Sequence, residues 1–176
     1  MPVSVFITLG SNIEPVLNLQ RAVHMLSQNH HLVLQRVSRV YESPAIDATG
    51  ALATDHPCFL NAAALLESDG HFSPLQIKFN MLRFIELCLG RQRGPDKFAP
   101  RPIDLDLALH GATVTTTPRL TLPDPDILTR AHIAFPLAEL APQSVHPVTG
   151  QTLAAIAATL ADGARIVRRD EIALTW

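Results

Sequence analysis

Between residues 3 and 110 the hydrophobic pattern changes period in the order β-α-β-β-α-β, and that order leaves few folds open. Residues 3–9 are a β-rich run closed by the turn cluster Gly10-Ser11-Asn12. From Pro15 onward Val16, Leu19, Val23 and Leu26 recur at helical spacing, which predicts a helix to about Gln28. Residues 32–41 alternate and are rich in valine; residues 58–67 are a further extended apolar segment, although their alanines also permit helix. Ser73-Pro74 opens a second amphipathic helix, with Leu75, Phe79, Leu82, Ile85 and Leu89 on one stripe and Gly90 beyond its end. Ile103, Leu105, Leu107 and Leu109 then alternate with other residues as a strand. A short strand at 113–116 is expected to pair back on it through a turn at Gly111. The fold class is α+β: a ferredoxin-like antiparallel sheet with helices packed on one face.

Helices are also predicted near 127–140 and over the apolar tract 152–161. No repeat or composition shift divides the chain, so residues 1–176 read as a single domain. Apolar residues make up 47% and charged residues 17%, the balance of a globular chain with a sizeable core. A net charge of -2 gives no basic footprint for nucleic acid. No apolar run is long enough to span a membrane, and the start lacks the pattern of a signal peptide. Cys58 and Cys88, with no paired-cysteine motif, read as reduced, partly buried thiols. The expectation is a cytoplasmic monomer acting on small molecules.

The strand at 101–110, RPIDLDLALH, raises a chemical question. Asp104 and Asp106 are two apart, so on a strand they share a face, with Cα atoms about 6.5–7 Å apart. Two like charges side by side cost free energy unless something neutralises them. Open water would do so, and the pattern alone permits that. A divalent metal would also do so: Mg²⁺ takes hard oxygen donors, usually one or two carboxylates plus water and substrate phosphates. The preceding loop, RQRGPDKFAPR, sets four basic residues against one acid, a local charge of +3, and Arg119 and Arg130 follow. Carboxylates beside arginines suit a metal–polyphosphate complex. Residues 42–57 form a second long loop, of a length more often functional than idle. There is no Walker-type or dinucleotide-type glycine motif.

The blocks VFITLGSN, VYESPA, FLNAAALLES, IELCLGRQR, FAPRPIDLDLAL and LTLPDPDILTRAHIAFPLAELAP, in that order, resemble the 6-hydroxymethyl-7,8-dihydropterin pyrophosphokinase family of folate biosynthesis. The resemblance covers roughly residues 3–147, and its most specific block is PRPIDLDL. It implies transfer of the diphosphate of ATP, the co-substrate, to the pterin's hydroxymethyl oxygen, with two Mg²⁺ ions as cofactors. By that resemblance Asp104 and Asp106 are the metal ligands and, with Arg91 and Arg101, the catalytic set. Arg91, Arg93, Arg101, Arg119 and Arg130 are the ATP contacts it implies. Ser43, Pro44, Ile46, Phe59, Asn61 and His132 line the implied pterin pocket. Read without the family, Phe59 is core and Asn61 a structural hydrogen bond. Glu86 reads as an orienter of the arginine loop.

The chain departs from the family's pattern at three places, the mildest being Phe98 where some members have a tryptophan. Asp124 stands where a histidine is usual, and His132 where a phenylalanine is. Those departures keep a second reading open, a non-catalytic paralogue that binds a pterin or nucleotide. A small-molecule-binding regulatory domain of the same fold would have no use for both acids beside a basic loop.

Overall fold

The computed structural model describes residues 2–46, 49, 51–92, 94 and 99–176. Strands β1 (Val3–Ser11), β2 (Leu32–Val37), β3 (Val40–Ser43), β4 (Phe59–Ser68) and β5 (Asp104–His110) form an antiparallel sheet. Its order is β5-β1-β4, with β2 and β3 both pairing with the far side of β4. This is the ferredoxin-like order, because β2 and β3 are the expected strand at 32–41 broken in two. The break is at Ser38. Its N–H donates to the Ala63 carbonyl at 2.9 Å, and its Oγ accepts from the Ala63 N–H at 2.9 Å.

Helix α1 (Pro15–Ser27) covers one face of the sheet with Leu19, Ala22, Val23 and Leu26. Beside it runs a continuous helix of three pieces: α2 (Pro74–Gln76), a π-helical segment (Ile77–Leu82) and α3 (Arg83–Cys88). Ser73 starts it with a capping box, its N–H donating to Gln76 Oε1 at 2.9 Å. The expected apolar stripe is wrong at its first half. Leu75 is exposed and Phe79 only half-buried, whereas Ile77, Leu82, Ile85 and Glu86 are buried. Ile77 and Leu82 are five residues apart, about 140° round an α-helix at ~100° per residue. The i→i+5 bonding of a π turn brings both to the sheet.

The opposite face is not bare, as the one-face expectation required. There α4 (Ala131–Leu140) and α5 (Leu153–Thr159) pack Ala134, Leu137, Leu153 and Ile156 on Phe6, Ala63, Ala108 and Leu109. Leu109 changes sides because the β1–β5 register slips between Phe6 and Ile7: Phe6 opposes Leu109 but Ile7 opposes Leu107. A bulge of this kind inserts one residue and turns the next to the other face. The expected strand at 113–116 does not join β5. Strand β6 (Thr115–Thr116) pairs instead with β7 (Thr121–Leu122), since the Asp124 N–H has taken the Ala108 carbonyl on β5's free edge at 2.9 Å. The helix expected at 127–140 is divided into a 3₁₀ turn (Pro125–Leu128) and α4 by Arg130, which is extended at φ -118 and ψ 108. Cys58 and Cys88 are unpaired and exposed rather than partly buried.

One element has no sequence signal. Strand β8 (Val167–Arg169) adds to β3, and an ion pair joins Arg169 to Glu42. The chain then returns to α1, where the Gln20 side-chain amide exchanges hydrogen bonds with the backbone of Thr175 and Leu174 enters the main core at 9% exposure. Leu174→Ala should therefore cost about 2 kcal/mol, at the low end for a buried leucine, and lower Tm by about 4–8 °C in calorimetry. A change of less than about 1 °C would show that the tail contributes nothing to the core.

Candidate active site

Cross-strand partners in an antiparallel pair share a face. Tyr41, Asn61, Gly10 and Asp104 are successive partners across β3, β4, β1 and β5. Two residues along, Thr8 opposes Asp106, and two residues the other way Ser43 opposes Phe59. All of these lie on the face that α4 covers, because Phe6 and Ala63 on that face touch it. The helix begins only at Ala131, so the ends of the strands stay open beyond it. The apolar positions Ile103, Leu105 and Leu107 hold β5 to the other core.

The open area is a cavity of about 240 Å³. Ser43, Pro44, Ile46, Phe59, Asn61 and His132 line it, and so do Arg101, Asp104, Asp106 and Arg130. A second cavity of about 260 Å³ adjoins it, lined by Lys78, Thr117, Arg119, Thr121 and Asp124. Asp106 lines both. Arg93, expected among the nucleotide contacts, lies outside the described residues, as does Phe98.

Asp104 is held from two sides. Arg91 Nη1 reaches Asp104 Oδ1 at 2.8 Å and also donates to the Ile103 carbonyl at 2.7 Å. Arg101 Nη1 reaches Asp104 Oδ2 at 2.7 Å. The Arg101 N–H donates to Asn12 Oδ1 at 2.7 Å, and its guanidinium carbon lies 5.6 Å from the centre of the Phe59 ring. Glu86, 2% exposed, accepts from the Leu105 N–H at 2.9 Å, and its carbonyl accepts from the Arg91 N–H at 2.9 Å. The expectation that Glu86 orients the arginine loop fits these bonds.

Asp106 differs from Asp104. Burial, and then the neighbouring Asp104 charge, push its carboxyl up to about 6, with Lys78 acting the other way. Burial pushes the Asp124 carboxyl up as well. Its Oδ1 accepts from the Asp126 N–H at 3.0 Å, so it caps the 3₁₀ turn and spends one oxygen there. Burial and the Arg130 charge hold the His132 imidazole down at about 4, and at neutral pH it is an uncharged ring at the cavity wall. Asn61 Nδ2 donates to Ser43 Oγ at 3.0 Å and to the Tyr41 carbonyl at 3.1 Å. Its amide is thereby fixed in orientation before anything binds. Arg130 reaches Asp126 Oδ1 only at 4.0 Å and is largely solvated. Lys78, Asp126, Thr8 and Ile133 were not expected at the site. Lys78 had no signal, because the π turn that aims it is a departure from the helical period.

The two acids suit a divalent cation. They supply hard oxygen donors from one strand face, and the raised Asp106 shows a pair whose charge the protein leaves partly uncompensated. Among the described residues no group of three or more His, Cys, Asp or Glu is gathered to hold a metal.

Comparison with known proteins gives the family. The family model for 7,8-dihydro-6-hydroxymethylpterin-pyrophosphokinase matches residues 6–142. A Pseudomonas aeruginosa protein named 2-amino-4-hydroxy-6-hydroxymethyldihydropteridine pyrophosphokinase is 35% identical over 139 residues, 78% of this chain and 80% of its own. The folic acid synthesis protein fol1 of Pneumocystis carinii is 34% identical over 152 residues; the match takes 86% of this chain but only 19% of that longer protein. The crystal structure of Plasmodium falciparum HPPK-DHPS with pteroate superposes with a TM-score of 0.66 at 14% identity, over 90% of this chain and 42% of that one, a likeness of fold. Because the matched region takes in every strand from β2 to β7 and both acids of β5, the chain belongs to the 7,8-dihydro-6-hydroxymethylpterin-pyrophosphokinase family.

Proposed function

We propose that this chain, as one domain over residues 1–176, transfers the diphosphate of ATP to the hydroxymethyl oxygen of 6-hydroxymethyl-7,8-dihydropterin and releases AMP. The observation that carries the reading is the position of Asp106, a residue that lines both cavities. One cavity has the amide, ring and backbone edge that a flat aminopyrimidinone needs: Asn61, Phe59, and the segment from Ser43 to Ile46. The other has Lys78, Arg119 and two threonines, donors for a polyphosphate. Acceptor and donor then meet at Asp106.

Asp104 and Asp106 would hold Mg²⁺, two ions by family resemblance. When bound, the metal supplies charge neutralisation on the phosphates and a template for the in-line approach of the alcohol. The chain's own residues do the rest. Asn61, already oriented by Ser43 and Tyr41, fixes the pterin edge, and neutral His132 and Phe59 take its faces. Arg91 and Arg101 satisfy Asp104 in the resting site; with metal and nucleotide bound, Asp104 would serve the cation and the guanidiniums would be left to phosphate oxygens. The new bond joins the pterin oxygen to the β-phosphorus, the bond from the β-phosphorus to the oxygen it shares with the α-phosphorus breaks, AMP leaves with that oxygen, and the hydroxyl proton passes to solvent.

No described helix is long and apolar enough to cross a membrane, and the reading is of a cytoplasmic monomer with small-molecule partners alone. Purified protein given ATP, Mg²⁺ and hydroxymethyl-dihydropterin should release one AMP per pterin consumed. Pterin binding without AMP above background would favour the binding-only paralogue instead.

A further inference from the structure

The apolar helix stripe expected from the sequence placed Phe79 in the core, and the structure removes it from there. The π turn rotates Phe79 out between helix and hairpin, half-buried, where it serves two cations. The guanidinium carbon of Arg119 lies 4.5 Å from the ring centre and that of Arg83 4.7 Å. Both are within the range at which a cation is held by an aromatic face. Arg119 sits at the turn between β6 and β7. Its backbone there is fixed by Thr117 Oγ1, which accepts from the Arg119 N–H at 3.3 Å and from the Leu120 N–H at 3.0 Å, while Leu120 is buried. The Arg119 side chain is otherwise exposed and lines the second cavity. Lys78, next to Phe79 on the same π turn, lines that cavity too.

An exposed arginine loses much rotamer freedom when it grips a ligand. A side chain already laid on a ring has lost part of that freedom before the ligand arrives, and binding is tighter for it. We propose that Phe79 is a positioning residue for the nucleotide, its ring carrying the Arg119 guanidinium at the mouth of the second cavity. The π turn has a purpose on this account: one extra residue in the turn buries Ile77 and Leu82 while sending Lys78 and Phe79 together toward the nucleotide. The inference rests on the reading of that cavity as the ATP side and names a residue that reading does not use.

The test compares Phe79→Leu with Phe79→Tyr in the full-length protein, by calorimetric titration with the Mg²⁺ complex of α,β-methylene-ATP and by steady-state kinetics. Phe79→Leu should raise the analogue's Kd and the KM for ATP about three- to tenfold, with kcat and the KM for pterin within twofold. Phe79→Tyr keeps the ring and should restore the wild-type values. In an Arg119→Ala background Phe79→Leu should add nothing. An unchanged Kd, or an equal loss with and without Arg119, would overturn the proposal. If Phe79→Leu fails to fold, Phe79→Met carries the same comparison. Failure of the wild-type protein to bind the analogue at all would instead overturn the nucleotide reading of the cavity.

Discussion

Asp106→Asn should lower kcat by about 10³-fold, the scale at which a charge-stabilising group is removed from a transition state, and should at the same time make the metal-free protein more stable at pH 8. The two effects have one cause. Burial beside Asp104 raises the Asp106 carboxyl to about 6, so the folded chain holds a proton that the unfolded chain releases near the ordinary value of 3.8. The stabilising contribution of that group is therefore full below pH 3.8 and is lost as pH rises through 6. At pH 8 the folded protein carries an acid whose ionised form it disfavours. Asparagine has no such charge, and should raise Tm at pH 8 by about 2–5 °C, with the gain vanishing near pH 4. Mg²⁺ should stabilise the wild type at pH 8, less so at pH 5, and Asp106→Asn at neither. Differential scanning fluorimetry over that pH range, with and without Mg²⁺, reads all of this without the reaction. Equal Tm values for the two proteins at pH 8 would mean that Asp106 is solvated and its charge costs the fold nothing.

That acid pair shows how far the sequence carried the site. Alternation placed Asp104 and Asp106 on one face, and the structure agrees; alternation also put Leu109 opposite them, which the bulge at β1 and β5 reverses. A period of two is local, while a bulge is set by the partner strand, and no pattern along β5 encodes it. The same holds for the helix before it. Phe79, Leu75 and Leu82 fit an α-helical stripe, yet the core selects Ile77 with Leu82 and so requires a π turn. Lys78 lines the second cavity as a result and Phe79 lies against Arg119, which lines it too, and neither placement was legible. Strand β8 was missed because three residues pairing at an edge have no period to detect. Asn61 is the structural hydrogen-bond partner of Ser43 and Tyr41 that the residues alone implied, and the same amide lines the cavity. Asp124, standing where a histidine is usual, caps the turn that leads to Arg130.

Arg101→Ala should cost about 10²–10³-fold in kcat/KM, with losses toward both substrates on the proposed function, because the residue holds Asp104 and also covers the Phe59 ring. Its backbone is tied to Asn12 Oδ1, its guanidinium to Asp104 Oδ2, and its face lies over Phe59, the ring offered to the pterin. Truncation leaves Asp104 to Arg91 alone and uncovers the Phe59 ring. Arg101→Lys is the informative companion. Lysine keeps the charge but not the planar fork, so it can answer Asp104 or phosphate but not hold a phosphate edge while resting on the ring. It should retain pterin binding close to the wild type and still lose most of kcat. The opposite pattern, kcat kept and pterin binding lost, would mean that Arg101 serves the ring rather than the phosphates. In the resting site Asp104 is paired with Arg91 and Arg101, and on the proposed function a metal–nucleotide complex would bring Asp104 a cation and the arginines phosphate oxygens in exchange. Arg101→Lys tests that exchange directly, since it preserves the resting pair with Asp104 and impairs only the partner that replaces it.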